Sequence, residues 1–430
     1  MSMAVIADDL TGAADTGVQF CPAAGPVYLT GLSDGGIELT PEAAQAGGIA
    51  IYTNSRHLSP GEAGARVEHV LAWLQRSRLT AELIYKKIDS CLRGNLGAEL
   101  DALVMSTGAD CCFVAPALPA QGRTTEHDIH KLRGIPVADT ELSRDPLCPV
   151  RESRLSACLK IQSGLGVGHV DLATLEKGGV SAAAEIRGMI AAGCRLIAFD
   201  AIDERHLDAI AGLGTMALQD REILFCGSAG LAMSLSRIAA AARTQGYRPA
   251  IARQTMAGKQ PPSWLMVCGS ASETAGRQVA RLAQSAGWKH AALDPDQLTA
   301  TGNKGIPGCP FERSTGTAPQ AGNHLLSISR AEGRPPVDPL CLMERFAAVA
   351  ATCVTAIRPE ALFLTGGDTA EAVLKHIGCK AILLHREVLP GLVQGSLCGG
   401  SLGGATVVTK AGAFGREDTL ERLVRQFSPT

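Results

Sequence analysis

Residues 3–20 read MAVIADDLTGAADTGVQF: five apolar residues, two aspartates, then Thr11-Gly12 opening an alanine-rich stretch of helical character. That order is strand, loop, helix, and in open parallel sheets the loops at the carboxyl ends of strands form the ligand crevice, which is where Asp8 and Asp9 fall. The same change from apolar to polar recurs downstream. Gly48 to Thr53 runs into Asn54-Ser55-Arg56, Leu83 to Ile88 into Asp89-Ser90, and Cys111 to Ala115 into Pro116. Arg195 to Phe199 then leads to Asp200, and Ile223 to Phe225 to Cys226-Gly227-Ser228. Helical patterns at Pro60 to Arg76 and Asn95 to Met105 separate the first of these strands, which predicts alternating β and α units.

A second series begins at Leu265 to Cys268, before Gly269-Ser270, and continues with Ala361 to Leu364, before Thr365-Gly366-Gly367-Asp368 and a helix over Ala370 to His376. Between the two series, residues 241–262 (AARTQGYRPAIARQTMAGKQPP) are basic, contain Pro and Gly, and have weak periodicity, as a connector does. The expected fold is α/β, with two lobes of mostly parallel sheet, residues 1–240 and 263–430, and an active-site cleft implied between them.

The composition narrows the function. At 430 residues with 46% hydrophobic and 19% charged, the chain is a folded protein of two or three domains. A formal charge of -2 gives no broad positive field for nucleic acid. The 14 cysteines include no C-x-x-C pair, so neither a zinc ribbon nor a thioredoxin-type motif is present. With no secretory leader and no run of 18 apolar residues, the expectation is a cytoplasmic protein with no membrane partner, its cysteines packed as small hydrophobes. A homodimer is the base-rate expectation for a soluble enzyme.

Neither a P-loop nor the H-R-D and D-F-G pair of protein kinases occurs. Gly164-Leu165-Gly166-Val167-Gly168 has G-x-G-x-G spacing and no strong strand before it, unlike a dinucleotide fingerprint. Thr365-Gly366-Gly367-Asp368-Thr369 sits between a strand and a helix, where backbone N–H groups and the positive helix end hold anions; Asp368 as a helix cap is the structural alternative. Glycine is dense from Pro390-Gly391 through Gly395, Gly399-Gly400 and Gly403-Gly404 to Lys410-Ala411-Gly412, which reads as a phosphate cradle containing a lysine. In the first lobe, Lys86-Lys87-Ile88-Asp89 and Arg93 lie at a strand end, with Arg56 and Arg123 on equivalent loops. Guanidinium forks suit a small carboxylate; surface ion pairs with Asp89 or Glu126 are the plain alternative. His127 and His130 have i, i+3 spacing without a third ligand and read as solvated or core histidines. Ser228 and Ser270 read as phosphate or turn residues.

Taken in order, ADDLTGAADTG, NSR, KKIDSCLRGNLG, APALPAQGRTT, CGSAGLA, FLTGGDTAEAVL and TKAGAFG resemble the four-carbon acid sugar kinases along nearly the whole chain. The resemblance implies a two-domain α/β enzyme that transfers the γ-phosphoryl group of ATP, with Mg²⁺, to the terminal 4-hydroxyl of D-threonate, D-erythronate or 3-oxo-tetronate. By motif it places Asp8, Asp9, Arg56, Lys86, Asp89, Arg93 and Arg123 with the acid, and Ser270, Gly366, Gly367, Asp368, Thr369 and Gly412 with ATP. Asp368 stands where many relatives carry glutamate, one methylene longer. The expected mechanism has Asp9 or Asp8 accept the hydroxyl proton while Arg93, Arg123 and Arg56 hold the carboxylate and hydroxyls. A non-catalytic sugar-acid sensor is the alternative, and a dehydrogenase or aldolase of such an acid a third reading.

Overall fold

The computed structural model describes residues 3–243, apart from 34, 78, 80 and 146, and residues 262–427, apart from 300–306, 313–321 and 330–337. Most of the expected connector, residues 244–261, therefore lies outside the described residues. The chain divides into two compact units, one of residues 1–37 and 45–250, the other of residues 38–44 and 251–430. The short excursion Glu38–Ala44 into the second unit has no counterpart in the sequence pattern; Glu38 pairs there with Lys380 at 3.0 Å.

In the first unit the strands are β1 (Met3–Ala7), β2 (Val27–Gly31), β3 (Gly48–Tyr52), β4 (Leu83–Lys87), β5 (Cys111–Ala115), β6 (Arg123–Glu126), β7 (Ile129–Leu132), β8 (Ile135–Pro136), β9 (Gly166–Val170), β10 (Cys194–Phe199) and β11 (Ile223–Gly227). Eight form a parallel sheet in the order β2-β3-β1-β4-β11-β5-β10-β9. β1 is buried along its whole length, as a central parallel strand covered on both faces must be. The helix Pro60–Arg76 spans the residues expected of it. Its start is set by a capping box in which Ser59 and Glu62 satisfy each other's backbone amides, with proline at the first helical position. Phe113 fills the core against Phe199 and Phe225, at ring-centroid distances of 4.7 and 5.9 Å.

β6, β7 and β8 form a separate antiparallel sheet, which the sequence reading missed. His127 and Asp128 form its first turn, both at positive φ, so the histidine pair lies on a hairpin and not on one helical face. Gly166 and Gly168 lie within β9, so that segment has no dinucleotide-type turn.

The second unit contains β12 (Trp264–Cys268), β13 (Trp288–Leu293), β14 (Asn323–Ile328), β15 (Ala361–Thr365), β16 (Ala381–Leu389), β17 (Leu392–Cys398) and β18 (Thr406–Lys410). Its order is β13-β14-β12-β15-β18-β17-β16, parallel except for β17, which runs antiparallel to both neighbours. Trp264, Met266, Phe363, Leu420 and Phe427 share its core, Trp264 and Phe427 meeting edge to face at 5.1 Å. The helix Pro339–Ile357 is long and apolar enough to cross a membrane by length and composition, with mean hydropathy 1.7. In this fold it buries Phe346 to Ala350, Cys353 and Val354 and packs on β12 and on the helix Gly367–His376. Ten of the 14 cysteines are buried, and all 14 are free thiols.

Candidate functional site

The first unit gathers charge where three neighbouring parallel strands end. β3, β1 and β4 are adjacent and in register, so Arg56, Asp8-Asp9 and Asp89 emerge on one rim of the sheet. Arg56 is the hub. Its Nε donates to Asp8 Oδ2 at 2.7 Å, Nη1 reaches Asp9 Oδ2 at 3.1 Å, and Nη2 lies 3.8 Å from Asp89 Oδ1. Arg56 is thus a clamp on three carboxylates, not the open fork expected for a ligand carboxylate. Burial would lower its pKa, but those three aspartates hold it well above the ordinary arginine value.

Asp89 belongs to a tight turn. Its Oδ2 accepts from the backbone of Cys91 at 3.1 Å and of Arg93 at 3.3 Å, and Arg93 grips it with Nη2 at 2.9 Å and Nε at 3.1 Å. Burial raises the Asp89 carboxyl, yet Arg93 and Arg56 together hold it well below the usual carboxylate range. The turn places Leu92 at φ 67°, a left-handed conformation that costs a branched residue about 1–2 kcal/mol and is kept here by the Asp89 contacts. Arg93 also meets Asp145 at 3.4 Å, and its side chain is 29% exposed, the most accessible of the arginines here. Arg123 is buried and donates to the Gln121 carbonyl; burial pushes the Cys91 thiol up, and Arg123 and Arg93 both act against that.

The two aspartates after β1 differ in what occupies them. Asp9 is the N-cap of the helix Leu10–Gly17: Oδ1 accepts from the Gly12 amide at 2.8 Å, and Oδ2 from the Thr11 hydroxyl at 2.9 Å as well as from Arg56. Burial raises the Asp9 carboxyl, but Arg56 and Lys87 outweigh it and leave it below the ordinary value. Asp8 commits Oδ2 to Arg56; its Oδ1 is buried with no hydrogen-bond partner among the described residues.

Lys86 and Lys87 are consecutive on β4 and point to opposite faces. Lys86 is wholly buried and bound to Glu99 Oε2 at 2.9 Å, with Glu99 also accepting from Ser55 Oγ. The ligand contact expected of Lys86 is therefore closed: it supports the rim from beneath. Lys87 takes the opposite face, beside Gly12 and Asp9; the sequence reading placed it at this strand end with Lys86 but carried only Lys86 into the site. His130 anchors the Asp89 turn, its Nε2 lying 2.8 Å from the Ser90 carbonyl. A carbonyl only accepts, so Nε2 carries the hydrogen, and Nδ1 accepts from Thr125 Oγ1 at 2.9 Å.

Burial pushes the His130 imidazole down to about 4. The unfolded chain therefore binds the extra proton between pH 6.5 and 4, and stability falls as pH drops through that window, by about 3 kcal/mol for this one group. Denaturant unfolding of the native chain and of His130→Gln at pH 7 and pH 4.5 checks this, with the variant losing that share of the slope.

In the second unit, β12, β15 and β18 are adjacent and parallel, with Cys268, Thr365 and Lys410 in register at their ends. The turns that follow converge. A Cβ on Gly412 would lie 1.9 Å from Ser270 Oγ and 2.7 Å from Ser270 Cβ, so only glycine permits this approach. Ser272 caps the helix Glu273–Ala283 through the Ala275 amide at 3.2 Å, and Gly366 precedes the helix Gly367–His376. Asp368 lies in the first turn of that helix and is not its cap. Two positive helix ends and three glycine-bearing turns thus meet, and an anion fits such a place.

Two expectations change here. Gly391 belongs to the β16–β17 turn, Gly395 lies within β17, and Gly399 to Gly404 make the β17–β18 connection, so the glycine density ahead of Lys410 builds hairpins and no phosphate cradle. Lys410 is buried, and its ammonium donates to the carbonyls of Ala411, Gly412 and Phe414 at 3.0, 3.0 and 3.1 Å. All three hydrogens are spent on the turn, so Lys410 shapes the cradle from within. Burial lowers it to about 8.

Against known proteins, residues 3–235 match a sugar-binding N-terminal domain and residues 265–420 a nucleotide-binding C-terminal domain. The chain is 31% identical to the D-threonate kinase of Salmonella typhimurium, over 98% of this chain and 97% of that one, and 32% identical to the D-threonate kinase of Bordetella bronchiseptica, over 98% and 96%. It is 26% identical to the D-erythronate kinase of Heliobacterium modesticaldum over 97% of this chain and 95% of that one. A solved structure from Salmonella typhimurium shares the fold with a TM-score of 0.73 at 21% identity, covering 99% of this chain and all of the other.

Proposed function

This chain belongs to the four-carbon acid sugar kinase family, and from that premise we propose that it transfers the γ-phosphoryl group of ATP to the 4-hydroxyl of D-threonate. The observation that carries the reading is the pair of strand-end sites. One is built of aspartates and arginines in the sugar-binding unit, the other of glycine turns and helix N-termini in the nucleotide-binding unit. D-threonate is favoured over its relatives because three D-threonate kinases match at 31–32% identity, against 25–28% for the D-erythronate and 3-oxo-tetronate kinases.

Phosphoryl transfer leaves the protein mainly the tasks of positioning and electrostatics. Arg93 and Arg123 take the acid's carboxylate: Arg93 is the accessible guanidinium, and Arg123 acts on the same Cys91 thiol. Asp8 is the proton acceptor, because among the described residues its Oδ1 alone of the oxygens of Asp8 and Asp9 has no hydrogen-bond partner. The bond from O4 to the γ-phosphorus forms as the bond to the ADP oxygen breaks, and the hydroxyl proton passes to Asp8. Asp9 caps and positions, Arg56 fixes both aspartates, and Asp89 orients Arg93.

The turns bearing Ser270, Gly366, Gly367, Thr369 and Gly412 receive the nucleotide's phosphates. Mg²⁺ brought with the nucleotide would offset charge on its phosphates, and Asp368, exposed in the first turn of that helix, would offer it a carboxylate; among the described residues no group of three His, Cys, Asp or Glu is placed to hold a metal ion by itself.

The test is ADP release from Mg-ATP by purified protein with D-threonate, D-erythronate, L-threonate or 3-oxo-tetronate, against a no-acid control. Acid-dependent turnover greatest with D-threonate is expected. ATP binding with no stimulation by any acid favours a non-catalytic sugar-acid protein instead.

A further inference from the structure

We propose that Glu99 stands in the folded protein as a neutral carboxylic acid that donates its hydrogen to Ser55, and that it is a positioning residue for Asp8, closing a buried chain behind that aspartate and leaving it the Lys86 charge. The part given to Asp8 rests on the kinase reading above. The first observation is a count of hydrogens. Three oxygen contacts run in series: Glu99 Oε1 to Ser55 Oγ, Ser55 Oγ to Thr53 Oγ1 at 2.7 Å, and Thr53 Oγ1 to the Ala7 carbonyl at 3.0 Å. Each needs one hydrogen, the two hydroxyls supply two, and the carbonyl supplies none. With Glu99 ionised, Thr53 serves Ala7 and Ser55 serves Glu99, so the 2.7 Å contact between the hydroxyls is a meeting of lone pairs. Any other placement of two hydrogens empties another of the three contacts. A hydrogen on Glu99 Oε1 reverses the Ser55 bond and fills them all, from Glu99 to Ser55, Ser55 to Thr53 and Thr53 to Ala7. Ala7, Thr53 and Ser55 are fully buried and Glu99 is 2% exposed, so bulk water is no substitute.

The second observation is what surrounds the carboxyl, which projects from the helix Leu96–Thr107. Lys86 Nζ donates to Glu99 Oε2 at 2.9 Å and to the Lys87 carbonyl at 3.0 Å, and both oxygens accept whether or not Oε1 carries a hydrogen. Lys86 and Asp8 are the charged groups acting on Glu99, and beyond Lys86 lie the thiols of Cys226 and Cys112. Arg66, on the helix Pro60–Arg76, is committed to the Thr53 carbonyl at 2.7 Å. Burial pushes the Glu99 carboxyl up, against the pull of Lys86, and the nearby Asp8 adds to the rise. The third observation is where the chain ends. Thr53 gives its amide, at 2.9 Å, as well as its hydroxyl to the Ala7 carbonyl, and Ser55 gives its amide to the Asp8 carbonyl at 3.2 Å, so the chain grips the backbone that carries Asp8. A carboxylate at Glu99 would cancel the Lys86 charge and repel Asp8. A neutral acid leaves the buried ammonium to attract Asp8, whose Oδ2 Arg56 already holds.

Glutamine copies a protonated glutamate, since its amide nitrogen donates to Ser55 and its oxygen accepts from Lys86. Glu99→Leu, which breaks the chain, should lower kcat for acid-dependent ADP release by about tenfold or more, and Glu99→Gln should rescue it to within about threefold of the native full-length chain. Glu99→Gln should also melt within about 3 °C of the native chain, whereas the loss of an ionised partner from a buried pair would lower the melting temperature by about 6 °C or more. The infrared difference between the native chain and Glu99→Gln, without ligand at pH 7, should contain the carbonyl band of a protonated carboxylic acid. Lys86→Met should move the acid limb of the kcat profile up by about one pH unit, the low end of what a neighbouring opposite charge supplies, because a base without that cation takes a proton at higher pH. Carboxylate bands in place of the acid band, a Glu99→Gln chain that melts low or works no better than Glu99→Leu, or an unmoved acid limb in Lys86→Met overturns the proposal and leaves the kinase standing. The acid band in a native protein that turns over none of the four-carbon acids supports the proton on Glu99 and overturns the kinase, and with it the part given to Asp8.

Discussion

Asp8→Asn should lower kcat for acid-dependent ADP release by about 10²–10⁴-fold, the range a positioned general base supplies. The amide can still accept from Arg56 Nε, as Asp8 Oδ2 does at 2.7 Å, so the fold and the KM for D-threonate should change little. Asp9→Asn should be milder, since asparagine caps helices as well as aspartate does and the Gly12 and Thr11 donors keep an acceptor. The two carboxylates are adjacent in sequence and share Arg56, so comparing the variants isolates the proton-accepting role from the positioning role. Equal losses in kcat would sink the assignment of the base to Asp8.

Lys410→Met should raise the KM for ATP about 10- to 150-fold, equivalent to about 1.5–3 kcal/mol, because the turn carrying Gly412 loses all three of its anchoring donors. The native chain should show a matching pH signature with two opposite signs. With Lys410 lowered to about 8 from an ordinary 10.5, the unfolded chain binds more protons across pH 8 to 10.5, and this group makes stability rise with pH there. ATP affinity should fall over the same window. The ammonium has no carboxylate within 4 Å among the described residues, and its charge is what an incoming polyphosphate compensates. The neighbouring Cys268 thiol, pushed up to about 12 by burial, stays neutral and supplies no counter-charge below that pH. Equilibrium ATP binding and denaturant unfolding at pH 7, 8.5 and 10, with Lys410→Met as the reference that lacks both trends, check the pair of signs.

What could be read from sequence follows from how buried parallel strands are made. β1, β3, β4, β5, β10, β11, β12 and β15 are short apolar runs that stop at a polar residue, and each was visible for that reason. Pro60–Arg76 was visible because a capping box and a proline mark its start. The β16–β17 pair was not: its glycines and polar residues break both the alternating and the continuous apolar patterns, and they were taken for a ligand loop. In the site, strand ends brought Asp8, Asp9, Arg56, Asp89 and Arg93 together as expected. Which of them has a free atom depends on side chains 30 to 50 positions away in the chain, as with Arg56 against Asp8 and Asp9, and no local pattern encodes that. Lys86 and Lys87 show the same limit at one residue's spacing, since pleating sends one to Glu99 and the other to the first turn of a helix.

The passage of Glu38–Ala44 into the second unit bears on how this protein can be taken apart. A gene fragment that begins in the connector and runs to the C-terminus encodes the nucleotide-binding sequence yet omits that heptapeptide, including the Glu38 partner of Lys380. The complementary N-terminal fragment carries the heptapeptide without the surface it belongs to. Mixing the two fragments after separate expression should therefore restore more than either retains, and a circularly permuted or domain-exchanged chimera would have to carry residues 38–44 from the same parent as its C-terminal unit.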